Sequence, residues 1–307
     1  MPDVADRPSR PIRAWPGELP ASVASALEEP AEGARGVVEA AGIPFATLTW
    51  GDRAAPPILL VHGVTASSAI WWRIGPALAV GLGRRVVAVD QAGHGRTGHW
   101  VGHHRFRDNA RDLAAFIVAA GLDGPDLRVV GHSWGAMTVA ELPAVGVTPG
   151  VLVLLDPPAI PLSAISSRLD DPVEHPRADL DEAIRTLGAT YPTWPYGDVV
   201  AKADALQRFD VEAVRAILTG NGDWDGGLAA LADPAAADVP IWLVRGVVEA
   251  GGLTPEPAAL RFANRIGPDH VITIADGAHS PMRRHPEATT LALLRALSDP
   301  LASGSRG

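Results

Sequence analysis

A buried strand, a tight turn and a helix in immediate succession constrain this chain more than anything else in its sequence. Leu127, Val129 and Val130 form an apolar, mostly β-branched run that suits a strand buried on both faces. Ala136, Met137, Val139 and Ala140 continue at helical spacing. Between them stands Gly131-His132-Ser133-Trp134-Gly135. Reversing from strand to helix in so few residues forces Ser133 into a strained backbone conformation. The flanking positions must be nearly empty, which explains Gly131 and Gly135. Such a turn lifts the serine hydroxyl clear of the sheet and aims backbone N–H groups at whatever the hydroxyl attacks.

The same alternation recurs along the chain. Residues 1–34 are rich in Pro, Arg and Glu without a clear period, and read as a loosely structured N-terminal arm. Residues 36–40 and 43–50 read as two antiparallel strands around Ala41-Gly42. Buried strands follow at Ile58–Val61, Arg85–Asp90, 127–130 and Val151–Asp156, with amphipathic helices between them, including one over Asn109–Ala120. From Pro157 to Asp238 strands vanish, and helical segments are expected at Leu180–Leu187 and Val199–Leu218. The alternation resumes with strands at Ile241–Gly246 and His270–Ile274 and helices at Pro255–Ile266 and Pro286–Leu297. This pattern predicts an α/β protein with a mostly parallel central β-sheet and helices on both faces. Residues 35–156 and 239–300 form its core, 157–238 an inserted helical cap, and 301–307 a flexible tail.

Composition narrows the partners. The 307 residues carry a net charge of −9, which disfavours nucleic acid and anionic membranes. There is no cysteine, so disulfides, thiolate metal sites and a cysteine nucleophile are excluded. Arg7, Arg10 and Arg13 stand among prolines with no apolar stretch after them, which argues against a secretory signal. No run reaches the ~18–20 apolar residues of a membrane span. A cytoplasmic location is the expectation. Lys202 is the single lysine in an arginine-rich chain, read here as coding bias. No metal-ligand spacing and no phosphate loop is present, and no cofactor is expected.

A serine hydroxyl is a weak nucleophile until a base takes its proton. Of the ten histidines, His279 stands just past the last expected strand, in Asp276-Gly277-Ala278-His279-Ser280, and is the candidate base. His285, before Pro286, reads as a helix-start residue. The imidazole needs a carboxylate to fix its tautomer. Two candidates lie at carboxyl ends of strands: Glu249, three residues after Gly246, and Asp156, ending its strand before Pro157. Backbone N–H groups of Trp134, and of Val64 in the loop after Val61, are the candidate oxyanion donors.

Together these pieces resemble the α/β-hydrolase superfamily. The resemblance rests on His62-Gly63, Asp90-Gln91-Ala92-Gly93-His94-Gly95, Gly131-His132-Ser133-Trp134-Gly135 and Gly277-Ala278-His279-Ser280, in the family's order, and covers about residues 36–298. It implies a helical lid at 157–238. Two departures stand out. The family's acid usually follows the seventh strand as Asp in Gly-x-x-Asp, where this chain has Gly246-Val247-Val248-Glu249. Some relatives draw the acid from the sixth strand, where Asp156 sits. The nucleophile is Ser, whereas haloalkane dehalogenases and epoxide hydrolases of this fold use Asp, which weighs against those activities.

Trp71, Trp72, Tyr191, Trp194 and Trp224 are candidates to line an apolar pocket between the turn and the cap, with core packing as the alternative for each. No arginine cluster in the sequence marks a site for a carboxylate or phosphate. The expectation is a cofactor-independent serine hydrolase acting on a small apolar ester or lactone. Open alternatives are a carbon–carbon hydrolase with the same triad, favoured by a polar group in the cap that binds a second carboxylate, a non-catalytic small-ligand receptor, and acyl transfer or perhydrolysis.

Overall fold

The computed structural model describes residues 17–299. Arg7, Arg10, Arg13 and the expected tail at 301–307 lie outside the described residues. In chain order the main elements are α1 (Ala21–Glu28), β1 (Ala34–Ala40), β2 (Ile43–Trp50), β3 (Pro57–Val61), α2 (Ile74–Leu82), β4 (Arg85–Val89), α3 (Phe106–Ala119), β5 (Arg128–His132), α4 (Trp134–Ala140) and β6 (Val151–Leu155). Then come α5 (Leu162–Ser166), α6 (Leu180–Thr190), α7 (Tyr196–Arg208), α8 (Val211–Gly220), α9 (Leu228–Leu231), β7 (Ile241–Arg245), α10 (Glu256–Ile266), β8 (Val271–Thr273), α11 (Pro281–Arg284) and α12 (Pro286–Leu297).

The eight strands form one sheet in the order β1-β2-β4-β3-β5-β6-β7-β8. β1 and β2 pair antiparallel, as do β2 and β4; every later pair is parallel. Side chains alternate across the strands, so each inner strand feeds two cores. Ile58, Leu60, Val130, Val153 and Leu155 pack on one face with residues of α1, α2 and α12. Leu59, Val61, Val129, Leu152 and Leu154 pack on the other with residues of α3, α4 and α10. The crossovers leaving β3 run to opposite sides, to β4 and on to β5, so the carboxyl ends of β3 and β5 border the crevice where open α/β sheets bind ligands.

Between β6 and β7 there are helices and no strand. They carry a third core, in which Ile165, Leu187, Val199, Leu206 and Leu218 pack with Trp134 and Met137 of α4. These helices therefore sit, as a cap in the purely positional sense, over the helix that leaves the Ser133 turn.

Two expectations need correction. The arm is not loose throughout: α1 buries Val23 and Leu27, one helical turn apart, against α2 and α12. The single helix expected at 199–218 is two helices. Asp210 breaks it, its carboxylate accepting from the N–H groups of Glu212 and Ala213 as the N-cap of α8.

Candidate active site

The turn after β5 has the geometry its sequence requires. Ser133 stands at φ 56°, ψ −122°, in a region that costs a non-glycine residue about 1–3 kcal/mol. A Cβ at position 131 would meet Gly135 O at 2.4 Å, and one at 135 would meet His62 O at 2.5 Å. Both glycines are fixed by close backbone approach.

The structure brings three side chains into one chain of hydrogen bonds. Ser133 Oγ lies 2.8 Å from His279 Nε2, and His279 Nδ1 lies 2.7 Å from Asp156 Oδ2. Asp156 is fully buried, with φ 42°, at the end of β6. Its Oδ1 accepts from Gly246 N–H at 3.1 Å and its Oδ2 from Leu253 N–H at 2.9 Å. Those donors lie at the end of β7 and in the loop beyond, so the strand that would have presented Glu249 instead anchors Asp156. Glu249 itself lies on a short 3₁₀ turn, Val248–Ala250, away from this chain of hydrogen bonds. Between the two candidate acids, the geometry places Asp156 and not Glu249 against His279.

Neutral histidines surround the turn. His132 Nε2 donates to His279 O at 2.8 Å, and burial together with the neighbouring His279 holds its pKa well below the ordinary value. His62 Nδ1 donates to Gly63 O at 2.7 Å, while its Nε2 accepts from Gln91 N–H at 3.0 Å. Burial lowers the His62 pKa to about 4, which fits this neutral tautomer. Gln91 Nε2 returns a bond to His62 O at 2.9 Å. The Asp90–Gly95 segment is therefore scaffolding for the loop that holds Gly63 and Val64.

That loop is also tied to the cap. Thr65 stands at φ 54°, rare for a β-branched residue. Lys202 Nζ of α7 donates to Thr65 O at 3.1 Å and to Thr65 Oγ1 at 3.0 Å, and pairs with Glu174 at 2.5 Å. Thr65 Oγ1 donates to the same Glu174 carboxylate. Burial opposes the charge on Glu174, but Lys202, with Thr65 and Arg283, outweighs it and holds the carboxyl below its ordinary range. Sequence reasoning missed this clamp. Its signal was the single lysine of an arginine-rich chain.

Residues 58–292 match the model of the Alpha/beta hydrolase family. The chain belongs to the α/β hydrolases. Known relatives match over shorter stretches. The hydrolase is 37% identical over 87 residues to an epoxide hydrolase B of Mycobacterium tuberculosis, covering 28% of this chain and 24% of that one. It is 38% identical over 122 residues to a bifunctional esterase/perhydrolase of Acinetobacter calcoaceticus, covering 38% and 43%. The matches thus span less than half the length of these relatives. Among solved structures, an E-2-(acetamidomethylene)succinate hydrolase superposes with a TM-score of 0.71 at 21% identity, covering 86% of this hydrolase and 99% of that chain.

Ser133 and His279 open into a cavity of about 390 Å³ beneath the cap, with Val64 on its wall. Of the five expected aromatic lining residues only Trp224 reaches it. Trp71 is fully buried in the core against α2. Trp72 lies against Gly197, and its Nε1 donates to Asp198 at 3.0 Å, fastening the cap. Tyr191 and Trp194 stack on each other at 4.0 Å, behind the wall. The Trp134 side chain is shut in the core beside His94, 4.9 Å between ring centroids. The expected apolar pocket is apolar only in part. Arg168, Lys202, Arg215 and Arg283 come from four separate segments to line it, which is why no cluster shows in the sequence. Among the described residues no group of three or more His, Cys, Asp or Glu could hold a metal ion. No described helix is long and apolar enough to cross a membrane.

Proposed function

We propose that this α/β hydrolase cleaves carboxylic esters or lactones through an acyl-enzyme on Ser133. The observation that carries the reading is the unbroken series Ser133 Oγ, His279 Nε2, His279 Nδ1, Asp156 Oδ2, with both links under 3 Å and Asp156 fully buried. Asp156 accepts from Nδ1–H and so leaves the Nε2 lone pair facing the serine. As Ser133 Oγ bonds to the substrate carbonyl carbon, its proton passes to His279 Nε2. The carbonyl oxygen becomes an oxyanion held by the N–H groups of Val64 and Trp134. Collapse breaks the bond to the alcohol oxygen, which takes the proton from His279. Water then attacks the acyl carbon and gives a proton to His279, and the acid leaves with Ser133 reprotonated. The esterase/perhydrolase relative supports this reading, and the serine at position 133 separates it from the aspartate-dependent chemistry of epoxide hydrolases.

The test is hydrolysis of short-to-long p-nitrophenyl esters and simple lactones. Ser133→Ala and His279→Ala should each lower kcat by roughly four orders of magnitude or more. Asp156→Asn should cost roughly two to four orders, and Glu249→Gln less than about twofold. A folded wild type that hydrolyses neither these substrates nor a half-ester such as monoethyl glutarate, or a Ser133→Ala enzyme that keeps its activity, overturns the proposal.

A further inference from the structure

One cationic side chain in the cavity has no work in the chemistry above. Arg283 lies on α11, four residues after His279 in the chain, and lines the same cavity as Ser133. It is only 9% exposed. A guanidinium removed from water to that extent is normally matched by a carboxylate. Among the described residues Arg283 has no ion-pair partner, and its Nε, shut off from solvent, has no hydrogen-bond partner. An aromatic face lies against it: the guanidinium carbon is 4.4 Å from the centre of the Trp194 ring, which is itself stacked on Tyr191. Stacking of this kind fixes the plane of an arginine while leaving its donors unused.

Two carboxylates, Asp198 and Glu174, are near enough to act on Arg283, and neither forms an ion pair with it. Glu174 is paired with Lys202 and bonded to Thr65. Asp198 Oδ1 accepts from Trp72 Nε1 while its buried Oδ2 has no hydrogen-bond partner, and burial pushes the carboxyl above the ordinary range. Along the cavity as a whole, the basic side chains Arg168, Lys202, Arg215 and Arg283 face two carboxylates, Asp170 and Glu174. The cavity is thus basic inside a chain whose net charge is −9. Apolar side chains, among them Ile165, Val214, Leu218 and Trp224, fill the rest of the wall.

We infer that Arg283 anchors a carboxylate subsite, and that the hydrolase acts on esters whose acyl part carries a second, ionised carboxyl group. This rests on the serine-hydrolase reading for the bond cleaved, and on Arg283 for the substrate class. A planar guanidinium can take a carboxylate through two parallel N–H···O bonds, which orients the acyl chain as well as holding it. The apolar wall would take the chain between the two ends, with the ester carbonyl at Ser133.

The test is calorimetric binding to the Ser133→Ala protein, in which turnover is removed. Monoethyl glutarate is compared with ethyl pentanoate, which has the same shape around the ester and a methyl group in place of the carboxylate. The half-ester should bind about tenfold to a hundredfold more tightly. Arg283→Gln in the Ser133→Ala background should abolish that preference. Arg283→Lys, which keeps the charge but not the planar fork, should retain part of it and serves if the glutamine variant fails to fold by circular dichroism. Equal affinity for the two esters, no heat from the half-ester at millimolar concentration, or a preference that survives in folded Arg283→Gln overturns the inference. None of these results touches the serine mechanism. A Ser133→Ala protein that still hydrolyses the half-ester sinks that mechanism while leaving the binding contrast to be read.

Discussion

Asp156 and Glu249 show why the acid could not be chosen from sequence. Both follow strands that end at the crevice, and both carry a carboxylate a short loop away from His279. What separates them is the backbone around them. Asp156 adopts φ 42° and collects N–H groups from Gly246 and Leu253, residues about 90 positions later in the chain. Those donors fix its carboxylate beneath the imidazole, and no local pattern encodes that convergence. Ser133 and His279 were legible because their constraints are local: a turn that excludes side chains, and a short loop after the last strand. The buried histidines give a residue-scale prediction. His62 and His94 have pKa values lowered by burial to about 4 and about 3, against 6.5 for the unfolded chain. Between those values the unfolded chain binds more protons, so folding stability rises with pH across the window. It falls as pH drops below about 6.5, by up to about 1.4 kcal/mol per pH unit for each histidine. Urea unfolding midpoints measured from pH 7.5 to 4.5 should decline steadily, and His94→Gln should flatten the decline. A midpoint independent of pH would contradict this account.

At the scale of elements, the alternation of strand and helix was readable because each inner strand is apolar on both faces and each covering helix on one. The cap was harder. Its helices were visible, but the break at Asp210 was masked by an apolar pattern running on either side of it. The wrong assignment of four aromatic residues to the pocket has one cause: Trp71, Trp72, Tyr191 and Trp194 supply large apolar surface that the core and the cap use for packing. The polar fastening of cap to core makes a prediction at this scale. Lys202 reaches from α7 to the loop that holds Val64 and Thr65, and it offsets the charge on Glu174. Lys202→Met keeps the apolar stem but leaves Glu174, about a quarter exposed, without its cation. The expected cost is roughly 3 kcal/mol of stability, toward the low end for a broken buried pair. Glu174→Gln in the same background should recover part of it by removing the unpaired charge. Denaturant unfolding reads both, and an unchanged midpoint in Lys202→Met would show that the clamp does not hold the cap.

For the whole molecule, net charge and cavity charge point in opposite directions. A chain at −9 encloses a pocket lined by four basic side chains. Composition carried the first fact, and only the fold could assemble the second. The sheet brings Gly63 and Ser133 together at neighbouring strand ends, to the point that a Cβ on Gly63 would lie 2.8 Å from Ser133 Cβ. The cap closes over that point, and the β6 and β7 ends supply the acid with its donors. On the proposed mechanism this assembly makes Ser133, among all the hydroxyls of the chain, a nucleophile. The measurement is intact-protein mass spectrometry after treatment with an alkyl fluorophosphonate, followed by peptide mapping. The expected result is one phosphonyl group per chain, on Ser133, formed with loss of fluoride, and very slow labelling in His279→Ala. A wild type that stays unlabelled, or that carries the group on another residue, would contradict it.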